Sequence, residues 1–576
     1  MHTTFTQEQE AVLSSTGDIK VSAVAGSGKT TVLVEYAKRQ NRTSRILYLA
    51  FNRSVRLQAQ KRFAEQNLAN VDVQTAHSLA YKRIALPLGF QIAKGYKLHD
   101  IVKILSLETG SRDHHAAYVC ASHIKKFCSL FCNADSDKVQ SLDYCATISD
   151  EKARAFAKHH YAKIENGTRQ FLAKMDRKEI AATHDFYLKK YQLSKPRLSY
   201  DVVLFDEGQD ASPVMLDVFL SHTGRRVIAG DIYQQIYSWR HAINALALVE
   251  FPKYSLTTSF RFNDHVAGLA MECLSWKSLL GETDPRSIRG VGANKKIKTQ
   301  ATIARTNLAL LKSAILTMQH ARSIKKIYFE GNINSYTYAS DGASIYDVLN
   351  LSLDKRSLIR DPVIASMPSF DALEEYAENS DDIELLMLID IVGEYGKEIP
   401  YLLKKLTAMH VDDDKRYTAD MIFSTVHRCK GMEYDSITLA DDFITRERVR
   451  KLVEKGRHEP VDISRISEEI NLAYVAVTRS RNFLEFPECM FPDADATLFA
   501  KRKIRDIVGL PKRRTGTPPA SRRPAAGNAY KSWTKEEDKE LLDLFGRGRS
   551  LLALAERFGR KQSAIRSRLS KLSWVD

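Results

Sequence analysis

Long apolar runs are missing from this sequence: nowhere in its 576 residues does an unbroken apolar stretch reach the ~18 residues that would cross a bilayer. No membrane partner is expected. The opening residues Met1-His2-Thr3-Thr4-Phe5-Thr6 have neither the basic start nor the apolar core of a secretory leader, so the chain is expected in the cytoplasm, with the nucleoid if its source is bacterial. Cysteine is scarce too. The seven cysteines are odd in number and irregular in spacing, which suits reduced thiols better than a disulfide framework. Four of them, Cys120, Cys128, Cys132 and Cys145, lie near His114, His115 and His123. Their spacing fits no common zinc pattern, so buried thiols on helices are expected rather than a metal site. Neither a solenoid repeat nor a nuclease signature is evident, and any strand cleavage would have to come from a partner.

What the chain does have is positive charge. The net charge is +16, and an excess of that size favours an acidic polymer, nucleic acid above all. Residues 501–530 hold nine bases, Lys501, Arg502, Lys503, Arg505, Lys512, Arg513, Arg514, Arg522 and Arg523, against the single acid Asp506. That net +8 is half of the whole excess.

Residues 1–95 alternate short apolar runs with helical patterns, as parallel α/β units do. Ile19 to Val24 and Ile46 to Phe51 read as buried strands. The stretch 96–196 turns helical and suggests an inserted domain. Strand signals return at Val202 to Phe205 and Arg226 to Ala229, completing a first α/β domain over 1–95 and 197–255. A second α/β domain, 256–325 with 415–508, is suggested by Thr302 to Arg305, Met421 to Ser424 and Ser436 to Leu439. Between its halves, 326–414 is a further insertion carrying an acidic helical segment, Phe370 to Leu406. Residues 509–530, rich in Pro, Gly, Ala and Arg, predict an extended basic linker.

The segment Ala23-Val24-Ala25-Gly26-Ser27-Gly28-Lys29-Thr30 follows a strand and opens a helix. That is the context of a phosphate-binding loop. Its glycines let backbone N–H groups approach phosphates at a helix N-terminus. Ala25, Gly26, Ser27, Gly28, Lys29, Thr30 and Thr31 are the candidate ATP contacts, with Lys29 on the β and γ phosphates and the Thr30 hydroxyl on Mg²⁺. The strand Val202 to Phe205 ends in Asp206-Glu207-Gly208-Gln209-Asp210, where parallel sheets place ligands. Asp206 is the expected second Mg²⁺ ligand, and Glu207 is expected to orient and deprotonate the attacking water.

From this point the motifs resemble, in order, those of UvrD-like superfamily 1 helicases over about residues 5–490. Phe5-Thr6-Gln7-Glu8-Gln9 resembles the adenine-reading segment, with Gln9 on the base. Ala50-Phe51-Asn52-Arg53 and Gln74-Thr75-Ala76-His77-Ser78 resemble motifs that touch single-stranded DNA, so Phe51, Asn52 and His77 become candidate contacts. Gly230 to Arg240 resembles the coupling motif, with Gln234 as phosphate sensor and Tyr237, Trp239 and Arg240 facing DNA. Ser259-Phe260-Arg261 implies an arginine for the γ-phosphate, and Ala473 to Arg479 a second arginine finger at Arg479. Thr425 to Tyr434 implies Thr425 and His427 on DNA and Glu433 on the nucleotide sugar. Two positions depart from the pattern, Gly208 and Ser480, each where alanine is usual. The spacing and the segment Asp382 to Leu406 are most similar to the F-box DNA helicases, without an F-box at the N-terminus.

The resemblance implies two RecA-like P-loop domains with parallel sheets, each with an inserted subdomain. It also implies ATP and Mg²⁺ as cofactors, and 3′ to 5′ movement. Trp239, read on spacing alone, fits a core aromatic as well as a base-stacking one; the motif favours stacking. Residues 531–576 form three short amphipathic patterns, an all-α module resembling Myb/SANT-like domains, in which Arg566 and Arg568 lie on a basic last helix. The expected activity is an ATP-dependent DNA helicase or translocase of repair, recombination or replication-fork processing. Its partners are single-stranded and tailed or forked duplex DNA, with an accessory nuclease or recombination protein as a candidate. Two alternatives are an ATPase that strips proteins from DNA, including in anti-phage defence, and a DNA-binding regulator with an inactive motor.

Overall fold

The computed structural model describes residues 4–502, apart from 108–113, 149–150, 283–286, 293–296, 322, 332, 339–342, 380–382, 457–460 and 495–499, together with 533–546, 554, 557–558 and 568. The chain separates into two units, Met1–Ile507 and Val508–Asp576.

Six strands build the first sheet: β1 (Ile19–Ala23), β2 (Ile46–Ala50), β3 (Val71–Thr75), β4 (Val202–Phe205), β5 (Arg225–Gly230) and β6 (Lys253–Leu256). All pairings are parallel, in the order β3-β2-β4-β5-β1-β6. Successive side chains of a strand point to opposite faces, and here both faces are covered. Ile46, Tyr48 and Ala50 pack with the helix Lys29–Lys38. Leu47 and Leu49 pack on the other side with the first insertion. This two-sided burial explains why the central strands read as continuous apolar runs. Strand β6 pairs with β1 and runs one residue past the expected boundary at 255.

The first insertion leaves after β3 and returns at β4. Its main helices are Leu98–Ile104, His114–Asn133, Glu151–His159, Tyr161–Asp176 and His184–Leu193. Ile124, Phe127, Phe171 and Tyr187 carry its core onto the sheet. Cys120, Cys128, Cys132 and Cys145 are buried free thiols within it, and burial pushes the Cys128 thiol far up. No group of three or more potential metal ligands is found among the described residues.

A short parallel pair, β7 (Thr258–Ser259) with β8 (Arg289–Gly290), leads into the second sheet. Its strands are β9 (Gln300–Ala304), β10 (Ile327–Phe329), β11 (Met421–Thr425), β12 (Tyr434–Leu439), β13 (Ser480–Pro487) and β14 (Ala500–Arg502), again all parallel, in the order β10-β11-β9-β12-β13-β14. The second insertion sits between β10 and β11, where helices Phe370–Asn379, Ile383–Tyr395 and Ile399–Met409 bury Leu373, Leu388 and Leu402 beside Leu308 and Leu311. Ala301, Ile303 and Ile422 pack instead with Val24, Ala25, Tyr233 and Ile236 of the first domain, so the domains meet across an apolar seam at the phosphate loop.

In the second unit, the helix Lys535–Gly546 is opened by a capping box: Glu537 N–H donates to Thr534 Oγ1 at 3.1 Å and Thr534 N–H to Glu537 Oε2 at 3.0 Å. Leu541, Leu554 and Phe558 form a small core with Trp533 packed against it. The linker 509–530, Arg566 and most of the last two helical patterns lie outside the described residues.

Candidate active site and nucleic-acid groove

The phosphate loop joins β1 to the helix Lys29–Lys38. Gly26 and Gly28 take φ of +76° and +78°, the left-handed region that glycine enters without steric cost. Gly26 is also a point of close approach. A Cβ there would lie 2.5 Å from Arg261 Cβ and 2.6 Å from Ser259 Oγ, and its carbonyl accepts from Phe260 N–H at 2.9 Å. The loop therefore rests directly on the segment that carries Arg261.

Lys29 Nζ lies 2.7 Å from Asp206 Oδ1 and 2.6 Å from Glu207 Oε1. Thr30 Oγ1 lies 3.3 Å from Asp206 Oδ2, a hydroxyl and carboxylate pair of the hard-oxygen kind that Mg²⁺ takes beside phosphates and water. Ser27 Oγ is buried in the loop with no partner among the described residues. Left-handed glycines, an orphaned hydroxyl and a buried ammonium make a cradle that fits a triphosphate with its Mg²⁺. Thr31 is exposed beside it. Gln9 donates from Nε2 to the Ser27 carbonyl at 3.1 Å and accepts at Oε1 from Thr6 N–H at 3.0 Å, which fixes its amide against the loop.

Glu207 is a non-glycine residue at φ +58°, ψ 39°, a backbone strain of about 1–3 kcal/mol that clusters at functional positions. Burial alone would raise its carboxyl, yet Lys29 first and Lys430 next outweigh that and hold it at about 2. Tyr48 of β2 donates to the Asp206 carboxylate.

The second domain supplies the facing wall. Arg261 Nε donates to Glu433 Oε2 at 2.8 Å and its Nη1 to the Thr478 carbonyl at 3.1 Å. Glu433 is shared with Arg481. Arg479 is fully buried: Nε donates to the Val475 carbonyl at 2.9 Å and Nη2 to Gln234 Oε1 at 3.4 Å. Burial, then Arg261, brings its guanidinium down to about 10, which leaves it charged near neutrality. The Tyr474 hydroxyl accepts from Ala25 N–H at 3.2 Å and donates to Asp231 Oδ2 at 3.0 Å. Asp231 also accepts from Gln234 Nε2 at 2.8 Å, so loop, sensor and second domain meet on one hydroxyl and one carboxylate.

From this junction the segment 231–240 runs to a groove of about 510 Å³. The groove gathers Phe51, Asn52, His77, Trp239 and Arg240, five candidate DNA contacts from separate parts of the chain. Trp239 is 62% exposed, which removes the core alternative, and the Arg240 guanidinium lies 4.6 Å from its ring centre. Tyr237 stacks on Phe51, centroids 5.7 Å apart at 20°, and its hydroxyl donates to the His427 carbonyl at 2.9 Å.

Residues 5–251 match the UvrD/REP helicase N-terminal domain, and residues 364–487 match the UvrD-like helicase C-terminal domain. The chain carries both UvrD-like helicase domains. It is similar to "F-box DNA helicase 1" of Gallus gallus, 29% identical over 516 residues that cover 83% of this chain and 48% of that protein. It is also similar to "F-box DNA helicase protein 1" of Schizosaccharomyces pombe, 28% identical over 537 residues, 83% of this chain and 57% of that protein. The chain spans about half the length of these relatives.

Several placements in this UvrD-like chain differ from the sequence expectation. Thr425, expected to face DNA, is only 5% exposed because it closes β11 inside the sheet. His427 is half-buried, outside the groove lining; burial, then Arg305, lowers its imidazole to about 4. Asn52 also caps the helix Arg53–Glu65, accepting from Val55 N–H at 2.9 Å. Arg568 is engaged by Asp538, at 2.5 and 2.6 Å, instead of standing free on the last helix. Ser129, Asn133 and Asp185 of the insertion and His241 line the groove as well. No motif pointed to them, because polar helix residues carry no mark of the wall they will face. The two departures from the family pattern have local reasons. A Cβ on Gly208 would lie 2.6 Å from Ile228 Cγ1, and buried Ser480 donates from Oγ to the Phe483 carbonyl at 2.8 Å.

Proposed function

We propose that the protein is an ATP-driven DNA helicase that moves 3′ to 5′ along single-stranded DNA and acts on tailed or forked duplexes in repair, recombination or fork processing. The observation that carries this reading is the unbroken chain of contacts from Arg479 through Gln234 and the 231–240 segment to exposed Trp239.

Lys29, Thr30 and Asp206 would hold the triphosphate and its Mg²⁺, which neutralises charge on the transferring phosphoryl group. Glu207 orients the attacking water and takes its proton. Arg261 and Arg479 reach the γ-phosphate from the second domain, so catalysis requires the two walls to close. Closing draws on the same segment that presents Trp239, and bases stacked on an aromatic follow its displacement irrespective of sequence. The basic 501–530 stretch and the C-terminal module add duplex affinity through phosphate contacts.

The test is ATP turnover with and without single-stranded DNA, beside strand separation on duplexes tailed at the 3′ or the 5′ end. DNA-stimulated turnover with unwinding from 3′ tails is expected. Stimulated turnover without strand separation would favour the protein-stripping alternative, and unwinding from 5′ tails would reverse the polarity.

A further inference from the structure

Two buried oxygens on the floor of the groove have no partner among the described residues: Asp210 Oδ1 and Ser212 Oγ. Each residue is 2% exposed. Ala211 between them takes extended backbone, φ −66° and ψ 140°, so the two side chains leave the same side of the chain. The segment is pinned, with Asp210 N–H donating to the Glu207 carbonyl at 2.9 Å and the Ala211 carbonyl accepting from Ile243 N–H at 2.7 Å. Oδ2 of Asp210 is engaged by Lys430 and, at 3.4 Å, by Gln209 Nε2, which leaves Oδ1 to accept. Ser212 departs from comparable residues of the same groove. Asn52 and Thr75 also precede helices there, and each commits its side-chain oxygen to its own helix, accepting from Val55 N–H at 2.9 Å and from Ser78 N–H at 3.0 Å. Ser212 precedes the helix Pro213–Leu220 and makes no such bond. An unpaired buried polar group is costly, and here two lie together where a strand is expected.

We propose that Asp210 and Ser212 read the edge of a base held in the groove, favouring bases that carry an exocyclic amine beside a ring-nitrogen acceptor, as cytosine does. The inference rests on the helicase reading of that groove and adds selectivity to it: stacking on Trp239 is blind to sequence, whereas hydrogen bonds to a base edge are not. A base of a single strand has its pairing edge open. The cytosine N4 amine donates to Asp210 Oδ1, a pairing that carboxylates make with this base, and the Ser212 hydroxyl donates to N3. Thymine and uracil turn a carbonyl oxygen towards the same carboxylate, which repels it. Met215 lines the groove three residues beyond Ser212, and its unbranched thioether gives way to an incoming ring. The motor therefore dwells where such a base reaches the floor.

The experiment measures the affinity of the full chain for single-stranded oligo-deoxycytidine and oligo-deoxyuridine of equal length, at one salt concentration and a pH near 8. The two probes share a ring size and a backbone and differ only at N3 and position 4, so phosphate contacts and stacking nearly cancel in the ratio of their affinities. Wild type is expected to bind the cytidine probe tighter by about fivefold or more. In Asp210→Asn the ratio is expected near one, because an amide offers a donor to the uracil O4 as readily as an acceptor to the cytosine amine. In Ser212→Ala it is expected to fall to less than half of the wild-type value. A merely structural residue would weaken both probes together and keep the ratio. Equal affinities in the wild type, or a wild-type ratio in either variant, overturn the proposal. If Asp210→Asn does not fold, Ser212→Ala alone decides, since its hydroxyl caps no helix. Failure of the wild type to bind either probe would instead remove the helicase reading itself.

Discussion

Glu207 combines a left-handed backbone with a carboxyl held at about 2 by Lys29 and Lys430. Glu207→Gln keeps the size of the side chain and removes the proton acceptor, so ATP affinity should persist while turnover drops by ~10² or more. Normal turnover in this variant would assign the base elsewhere. Trp239 makes a different prediction. Because it is exposed and far from the phosphate loop in sequence, Trp239→Ala should leave ATP binding intact and weaken each stacked base by about 1–3 kcal/mol; an unchanged translocation rate would refute its role. His427 sets a pH dependence. Its native pKa of about 4 lies below the ordinary 6.5, so between those values the unfolded chain holds a proton that the native chain lacks. Stability contributed by neutral His427 is present above pH 6.5 and is lost as pH falls towards 4. Thermal melts of His427→Gln should show a flatter decline across that window than the wild type.

At the scale of elements, the phosphate loop and the β7 segment act as one unit, joined at Gly26. Gly26→Ala adds a side chain where φ is +76° and where Arg261 Cβ already stands. The left-handed conformation costs an alanine about 1–2 kcal/mol, and relief of the clash moves Arg261. ATP turnover should fall by more than the melting temperature suggests; a variant that melts and turns over like wild type would refute the contact. The same elements indicate what was legible in the sequence. Strands β1, β2, β4, β5, β9, β11 and β12 announced themselves as apolar runs because both of their faces are buried. The four edge strands, β3, β6, β10 and β14, did not. Val71-Asp72-Val73-Gln74-Thr75 alternates, Ile327–Phe329 has three residues, and Ala500–Arg502 is basic. An edge strand needs only partial burial, so its composition gives a weaker signal. The nucleotide site was legible as motifs, since each of its residues belongs to a short local pattern. The bridge from Ala25 to Tyr474, 449 positions apart, was not. Pairing over such a distance is decided by how two sheets pack, and no local pattern records it.

At the scale of the whole molecule, charge rather than packing distinguishes the C-terminal part. Deleting 509–576 removes Lys512, Arg513, Arg514, Arg522 and Arg523, five of the nine bases of the 501–530 stretch, together with the basic residues of the C-terminal module, and with them part of the counterion release on DNA binding. The truncated chain should keep its ATPase but bind duplex more weakly at moderate salt, with a shallower dependence of affinity on salt concentration. Equal affinity and slope would show that the motor domains alone set duplex binding. The exposed indole of Trp239 also makes the molecule its own optical reporter. Of the four tryptophans, Trp276 is fully buried and Trp533 is packed against the C-terminal core, whereas Trp239 stands open in the groove. A base stacking on it would quench its emission, so intrinsic fluorescence could follow each arrival and departure of the strand without any added label.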